Sequence, residues 1–238
     1  MASLAIIILI GETHAWATAS THIWGPSTDI QAFKLWHITS DFYTPTEKKS
    51  LSRIPPVINA GLTVGVLPFK NLNAEIGFDY KSGLGIADNY PIYFNIKVGI
   101  PENAFGRAFP ALAAGIFDIG LKKNMTNYDV SYIKAAKTIK IGRFSLGYFS
   151  GNRNMLINSA GKKDNAGIMA VWERTMTEIS NKLWFCAEYM GTKCAYGTFN
   201  IGGSWKFAQN VGVLLGYDFY NNPKFIDTAT VQVDIDFQ

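Results

Sequence analysis

The stretch Val211-Gly-Val-Leu-Leu-Gly-Tyr-Asp-Phe-Tyr220, followed after a polar connection by Thr230-Val-Gln-Val-Asp-Ile-Asp-Phe237-Gln238, decides the fold. Val211, Val213, Leu215, Tyr217 and Phe219 alternate with Gly212, Leu214, Gly216, Asp218 and Tyr220. Val231, Val233, Ile235 and Phe237 alternate with Gln232, Asp234, Asp236 and Gln238. A period of two sends the two sets to opposite faces of a strand, and no helix gathers either set on one side. Working outward, the same spacing recurs over 72–81, 92–100 and 199–207. Twelve strands are predicted, near 31–43, 57–66, 72–81, 91–100, 111–122, 129–137, 142–150, 166–175, 183–190, 195–207, 211–220 and 229–238. The sixth is the least regular, because Tyr132, Ile133, Lys134, Ala135 and Ala136 do not alternate cleanly.

Strand then covers more than half of the chain, against roughly 20–25% in ordinary domains, an excess expected of a barrel. The connections carry separate information. Those at 44–56, 82–90, 123–128, 151–165 and 221–228 are mostly long and polar; those at 67–71, 138–141, 176–182 and 208–210 are shorter. Two break the trend, 101–110 being long for a turn and 191–194 short for a loop. Long loops on one side and short turns on the other is the arrangement of a membrane barrel, and an even strand count returns both termini to the short-turn side.

Composition points the same way. Of 238 residues, 48% are hydrophobic, 14% aromatic and only 17% charged, which excludes intrinsic disorder. With Gly at 22 and Cys at 2, collagen-like and disulfide-scaffold compositions are excluded too. No apolar run approaches the ~20 residues of a membrane helix. The longest, Leu4–Ile10, lies at the start and is followed by the small residues Ala15, Ala17 and Ala19. This reads as a signal peptide over 1–19, cleaved near Ala17 or Ala19, although no Lys or Arg precedes the run. Residues 20–238 then form a single domain.

Alternation alone does not say which face meets lipid, since a soluble sandwich or lipocalin-like barrel turns its apolar face inward. The aromatics decide. Phe42, Tyr80, Tyr148, Tyr189 and Phe219 fall on the apolar face at the long-loop ends; Trp36, Trp172, Trp205, Phe207 and Phe237 fall near the short-turn ends. Two aromatic girdles around an aliphatic band match the two water–lipid interfaces. The expected fold is all-β: a closed antiparallel up-and-down transmembrane β-barrel of about 12 strands. The chain resembles the outer-membrane β-barrel proteins of Gram-negative bacteria, most strongly in Thr230–Gln238, which looks like the terminal strand recognised by the barrel-assembly machinery. The aromatic here is penultimate, with Gln238 after it. That resemblance implies an outer-membrane location with both termini periplasmic.

The lumen is then the place to look for function. Inward candidates are His37, Asp41, Glu75, Asp79, Lys97, Asp118, Lys122, Arg143, Glu173, Glu188, Lys206, Asp218, Asp234 and Asp236. A lipid hydrolase or acyltransferase would need a histidine base, and only His22 and His37 follow residue 19. His37 and Ser40 have opposite parity, so they make a poor dyad, and His37 reads as one polar lumen residue among many. No Cys/His cluster has metal-ligand spacing and no Gly-rich element could cradle a nucleotide, so neither metal nor cofactor is expected. Cys186 and Cys194 would be cross-strand neighbours in a hairpin centred on residue 190, in reach of a disulfide; two buried thiols are the other outcome. Loop cations at Lys48, Lys49, Arg53, Lys122, Lys123, Arg153, Lys162, Lys163, Lys193 and Lys224 form either a solvated surface or a site for the phosphates of lipopolysaccharide. Scattered as they are, they do not suggest nucleic acid. Inward glycines at 61, 65, 77, 99, 147, 202, 212 and 216 suggest free space in the lumen. The expected function is a passive porin-like channel for small solutes or ions, the alternative a plugged barrel binding a partner through its loops. The segment Ile23-Trp24-Gly25-Pro26-Ser27-Thr28-Asp29-Ile30 is distinctive, but nothing in it names a role.

Overall fold

The computed structural model describes residues 20–47 and 55–238. The signal-peptide segment and the loop cations Lys48, Lys49 and Arg53 lie outside the described residues. Twelve strands follow in order: β1 (Trp36–Pro45), β2 (Val57–Gly65), β3 (Asn73–Ser82), β4 (Ile92–Ile100), β5 (Ala111–Gly120), β6 (Val130–Ile139), β7 (Gly142–Ser150), β8 (Ala166–Thr175), β9 (Leu183–Met190), β10 (Thr198–Ala208), β11 (Val211–Tyr220) and β12 (Thr228–Phe237). Each pairs antiparallel with its sequence neighbours, and β1 pairs with β12 from Trp36↔Phe237 to Pro45↔Thr228 to close the barrel. Closure leaves no unpaired edge, the condition for a sheet to stand in lipid.

The faces are inverted relative to a soluble protein. Ile76, Ile96, Leu146 and Leu215 on the outer wall are 46%, 49%, 65% and 60% exposed. Inward-facing Glu75, Lys97, Asn200 and Asp218 are buried. An apolar band running round the whole wall is stable against lipid and not against water. All ten girdle aromatics project from the outer face; Trp172 also donates its indole N–H to the carbonyl of Ile141 at 3.0 Å.

Two elements depart from the sequence reading. The first strand begins at Trp36, not residue 31: Lys34 has a left-handed φ of 65°, and the Leu35 amide turns back onto the Ala32 carbonyl at 2.9 Å. In β5, Phe94↔Ile119 is followed by Ile96↔Ile116, so two residues of β5 face one of β4. Asp118 takes a φ of 55° in this bulge, which lets Phe117 and Asp118 both contribute to the interior. The long turn at 101–110 is pinned rather than loose. Lys137 bonds Asn103 Oδ1 at 2.8 Å and the Arg107 carbonyl at 2.6 Å, and Glu102 accepts from the Thr138 amide at 3.0 Å. Burial pushes the Glu102 carboxyl up, but the bonds from Thr138 and Lys137 outweigh it and hold it below the usual carboxylate range.

Candidate functional site

The lumen is occupied by the chain itself. Residues 20–31 run inside the barrel as a strap, folded back at its tip by a Thr21↔Pro26 bridge and a His22 N–H to Gly25 carbonyl bond of 2.9 Å, and the exposed Ala32, Phe33 and Lys34 lead out to β1. The strap contains the distinctive 23–30 segment, and its residues are those that the wall charges hold.

Near the short-turn end, Glu75 on β3 accepts from Ser20 Oγ at 2.9 Å and from the Gln31 amide at 2.7 Å. Lys97 on β4 pairs with Glu75 at 3.1 Å and donates to the carbonyls of Ser20 and Asp29 at 2.9 and 2.6 Å. Arg143 on β7 grips Asp29 Oδ2 at 2.6 Å and Thr28 Oγ1 at 2.7 Å. Deeper, Lys134 on β6 donates to the Pro26 carbonyl at 2.7 Å and lies 3.2 Å from His22 Nδ1. His22 Nε2 is 3.2 Å from Glu173, which also accepts from the Trp184 indole at 3.0 Å. Glu188 on β9 spreads its two oxygens over the amides of Trp24 and Gly25, at 2.9 and 3.0 Å. Gln232 on β12 reaches the Ile23 carbonyl at 2.6 Å. Side chains thus replace the ladder that a non-strand backbone buried in a barrel would otherwise lack.

Apolar contacts complete the seat. Ile23 is 1% exposed, packed with Val171, Trp184, Cys186 and Leu214. Trp24 meets Tyr43 and Tyr220 edge-on, with ring centroids 5.1 and 5.9 Å away. The inward glycines take on a different meaning here. A Cβ on Gly65 would fall 2.0 Å from the Ala32 carbonyl oxygen, one on Gly99 2.9 Å from Ile30, and those on Gly202 and Gly216 3.1 and 3.2 Å from Ile23. These glycines make room for the strap, not for an open pore, which corrects the expectation of free space at those positions.

Above the strap, on the loop side, a second filling covers one flank of the lumen. Val130, Tyr132, Phe149, Leu156, Met169, Met190, Cys194 and Tyr196 form one buried cluster, with Trp24, Phe117 and Tyr128 against it. Tyr196 donates to Asp118, which also pairs with Lys81. Burial, reinforced by the Asp118 carboxylate, holds the Tyr196 hydroxyl well above its ordinary range.

Thirteen of the fourteen inward candidates have inward parity, from His37 on β1 to Asp236 on β12; Lys206 sits at the short-turn mouth and keeps partial exposure. Lys122 does not. It is exposed beyond the end of β5, over the Tyr90 ring at 5.1 Å, because β5 stops at Gly120. His37 lies between Asp234 at 3.3 Å and Asp236 at 2.9 Å. Of the two outcomes open for Cys186 and Cys194, the structure has the two buried thiols. Cys186 pairs in register with Gly202, while Cys194 sits in the longer loop before β10, and both thiols are free and buried. Burial pushes the Cys194 thiol up, away from reactive thiolate. Sequence reasoning missed Lys134, Lys81, His22 and Gln232. The parity of β6 and β12 was the signal for Lys134 and Gln232; His22 carried none, since the strap has no period. Among the described residues no three His, Cys, Asp or Glu side chains are placed to hold a metal ion.

No family model matches the chain, and no curated protein matches its sequence. Solved structures do match in fold. The NanC porin superposes with a TM-score of 0.51 at 10% identity, covering 85% of this chain and 99% of that one. The KdgM porin gives 0.55 at 10% identity over 86% and 99%. A KdgM porin in complex with disordered oligogalacturonate gives 0.53 at 9% identity, with 86% and 99% covered. The chain therefore has the closed-barrel fold of these outer-membrane porins.

Proposed function

We propose that this chain is a porin-like channel for small solutes or ions in the outer membrane of a Gram-negative bacterium, narrowed by its own N-terminal strap. The observation that carries this reading is the uneven filling of the lumen. The wall residues that hold the strap, Glu75, Lys97, Lys134 and Glu188, are 1–3% exposed. Thr39, Asn59, Asp79 and Asn95 also face inward but remain partly exposed, so the strap covers the wall of β1 to β4 less completely than it covers β6 to β9, although His37 and Asp41 on the same flank are buried. Porins among the fold neighbours support a transport role over catalysis, and His37, held between two aspartates, serves the reading as a lumen residue. Cleavage near Ala17 or Ala19 would leave the strap at the mature N-terminus, and the topology would put both termini in the periplasm. Outer-membrane lipid would then surround the wall, with the barrel-assembly machinery acting on β12. Exposed Lys123, Arg153, Lys162, Lys163 and Lys193 would face the phosphates of lipopolysaccharide.

Reconstitution in planar bilayers tests the reading. We expect discrete, ohmic steps, smaller than an unobstructed barrel of this strand number would give. Membranes that stay at background conductance with folded protein present would favour the plugged, partner-binding barrel instead.

A further inference from the structure

We infer that the passage beside the strap selects cations, an inference that rests on the channel reading and names its class of solute. Most of the basic charges on the wall are already spent. Lys97 pairs with Glu75, Lys81 with Asp118, and Arg143 with Asp29 and Glu173. Lys134 is turned onto the strap through His22 and the Pro26 carbonyl. All four basic groups are held against the strap or the loop-side cluster, and His37 on β1 is taken up between Asp234 and Asp236.

The open flank is different. Asp41 on β1 is held by neutral donors alone, Thr39 Oγ1 at 2.6 Å and Asn59 Nδ2 at 3.0 Å. Asp79 on β3 is held likewise, by Asn59 at 3.3 Å and Asn95 at 2.8 Å. Among the described residues neither carboxylate has an ion-pair partner: Lys81, two residues along β3, attracts Asp79 but is paired with Asp118. In the register Thr39 faces both Gly61 and Asp234, and Gly61 faces Asp79, so one row across four strands carries Asp234, Thr39, a bare glycine and Asp79. Gly61 matters here, since a Cβ would lie 2.5 Å from Asp79 Oδ1 and cover the carboxylate.

A second observation is independent of the charges. Asn59 Oδ1, on the open flank with its amide nitrogen shared between Asp41 and Asp79, has no hydrogen-bond partner. An acceptor without a donor is met by a hydrated cation or its water rather than by an anion. Carboxylates with low-dielectric walls behind them focus the field in a narrow passage and exclude anions.

Reversal potentials across a KCl gradient, measured on the intact chain in bilayers, test this. We expect a K⁺ to Cl⁻ permeability ratio several-fold above one, falling toward one in D41N/D79N, whose amides keep the size and the neutral neighbours of the carboxylates. K140Q, in the exposed β6–β7 turn, should leave the ratio as it is. A ratio at or below one would overturn cation selection while leaving the channel standing, and a ratio unmoved in D41N/D79N would overturn the assignment to this flank. Absence of any step conductance would instead remove the channel reading on which the inference rests.

Discussion

Deleting residues 20–33 is expected to raise single-channel conductance several-fold and to leave the barrel closed. The deleted segment adds only the isolated Phe33↔Gly65 bridge to the sheet, and closure runs through β1 and β12 from Trp36↔Phe237 onward. The wall charges it leaves behind largely satisfy one another. Glu75 keeps Lys97 at 3.1 Å, Arg143 keeps Glu173 at 3.5 Å, and water entering the lumen hydrates Lys134 and Glu188. The apolar loss is confined mainly to Ile23 and the rings around Trp24, on the order of 1.5–3 kcal/mol for a fully buried side chain. A deletion variant that still migrates as a folded barrel but conducts no more than the intact chain would show that the strap does not set the constriction.

Glu188→Ala should have the second largest effect, by loosening the strap without removing it. The substitution strips the acceptors from the Trp24 and Gly25 amides, bonds of 2.9 and 3.0 Å. Leaving a buried donor unsatisfied costs about 1–3 kcal/mol. Water reaching the lumen offsets part of that, so a net loss of about 2 kcal/mol in strap docking is expected, roughly thirty-fold in the undocked population. Bilayer records should show brief excursions to the conductance of the deletion variant, and the strap amides should lose hydrogen-exchange protection. Glu188→Gln, which keeps one acceptor oxygen, should fall between. Unchanged exchange at Trp24 and Gly25 in Glu188→Ala would assign their protection to the apolar seat alone.

Period-two spacing made the wall legible because parity is the only variable a barrel strand has. Ten of the twelve strands begin within two residues of their predicted starts, while β1 starts five residues late and β10 three late. Both exceptions have local causes: the left-handed turn at Lys34, and a loop that folds inward so that Cys194 and Tyr196 join the lumenal cluster. The irregular β6 is irregular for the same reason. Its inward face carries Val130, Tyr132, Lys134 and Ala136, so apolar residues stand where lumen polarity was expected, and Lys134 went unread. The strap itself was illegible in pattern. It has no period, its bonds run mainly from backbone to distant side chains, and its wall footprint is written in glycines, which signal an open lumen and an occupied one equally well.

Occupation of the closed barrel's lumen by residues 20–31 can be read by NMR of the methyl-labelled chain in micelles or nanodiscs. The Ile23 methyls should show nuclear Overhauser contacts to the Hα protons of Gly202 and Gly216, whose positions lie against Ile23 Cδ1 and Cγ2. Ile23 methyls with narrow, solvent-averaged resonances and no contact to either glycine would contradict the account.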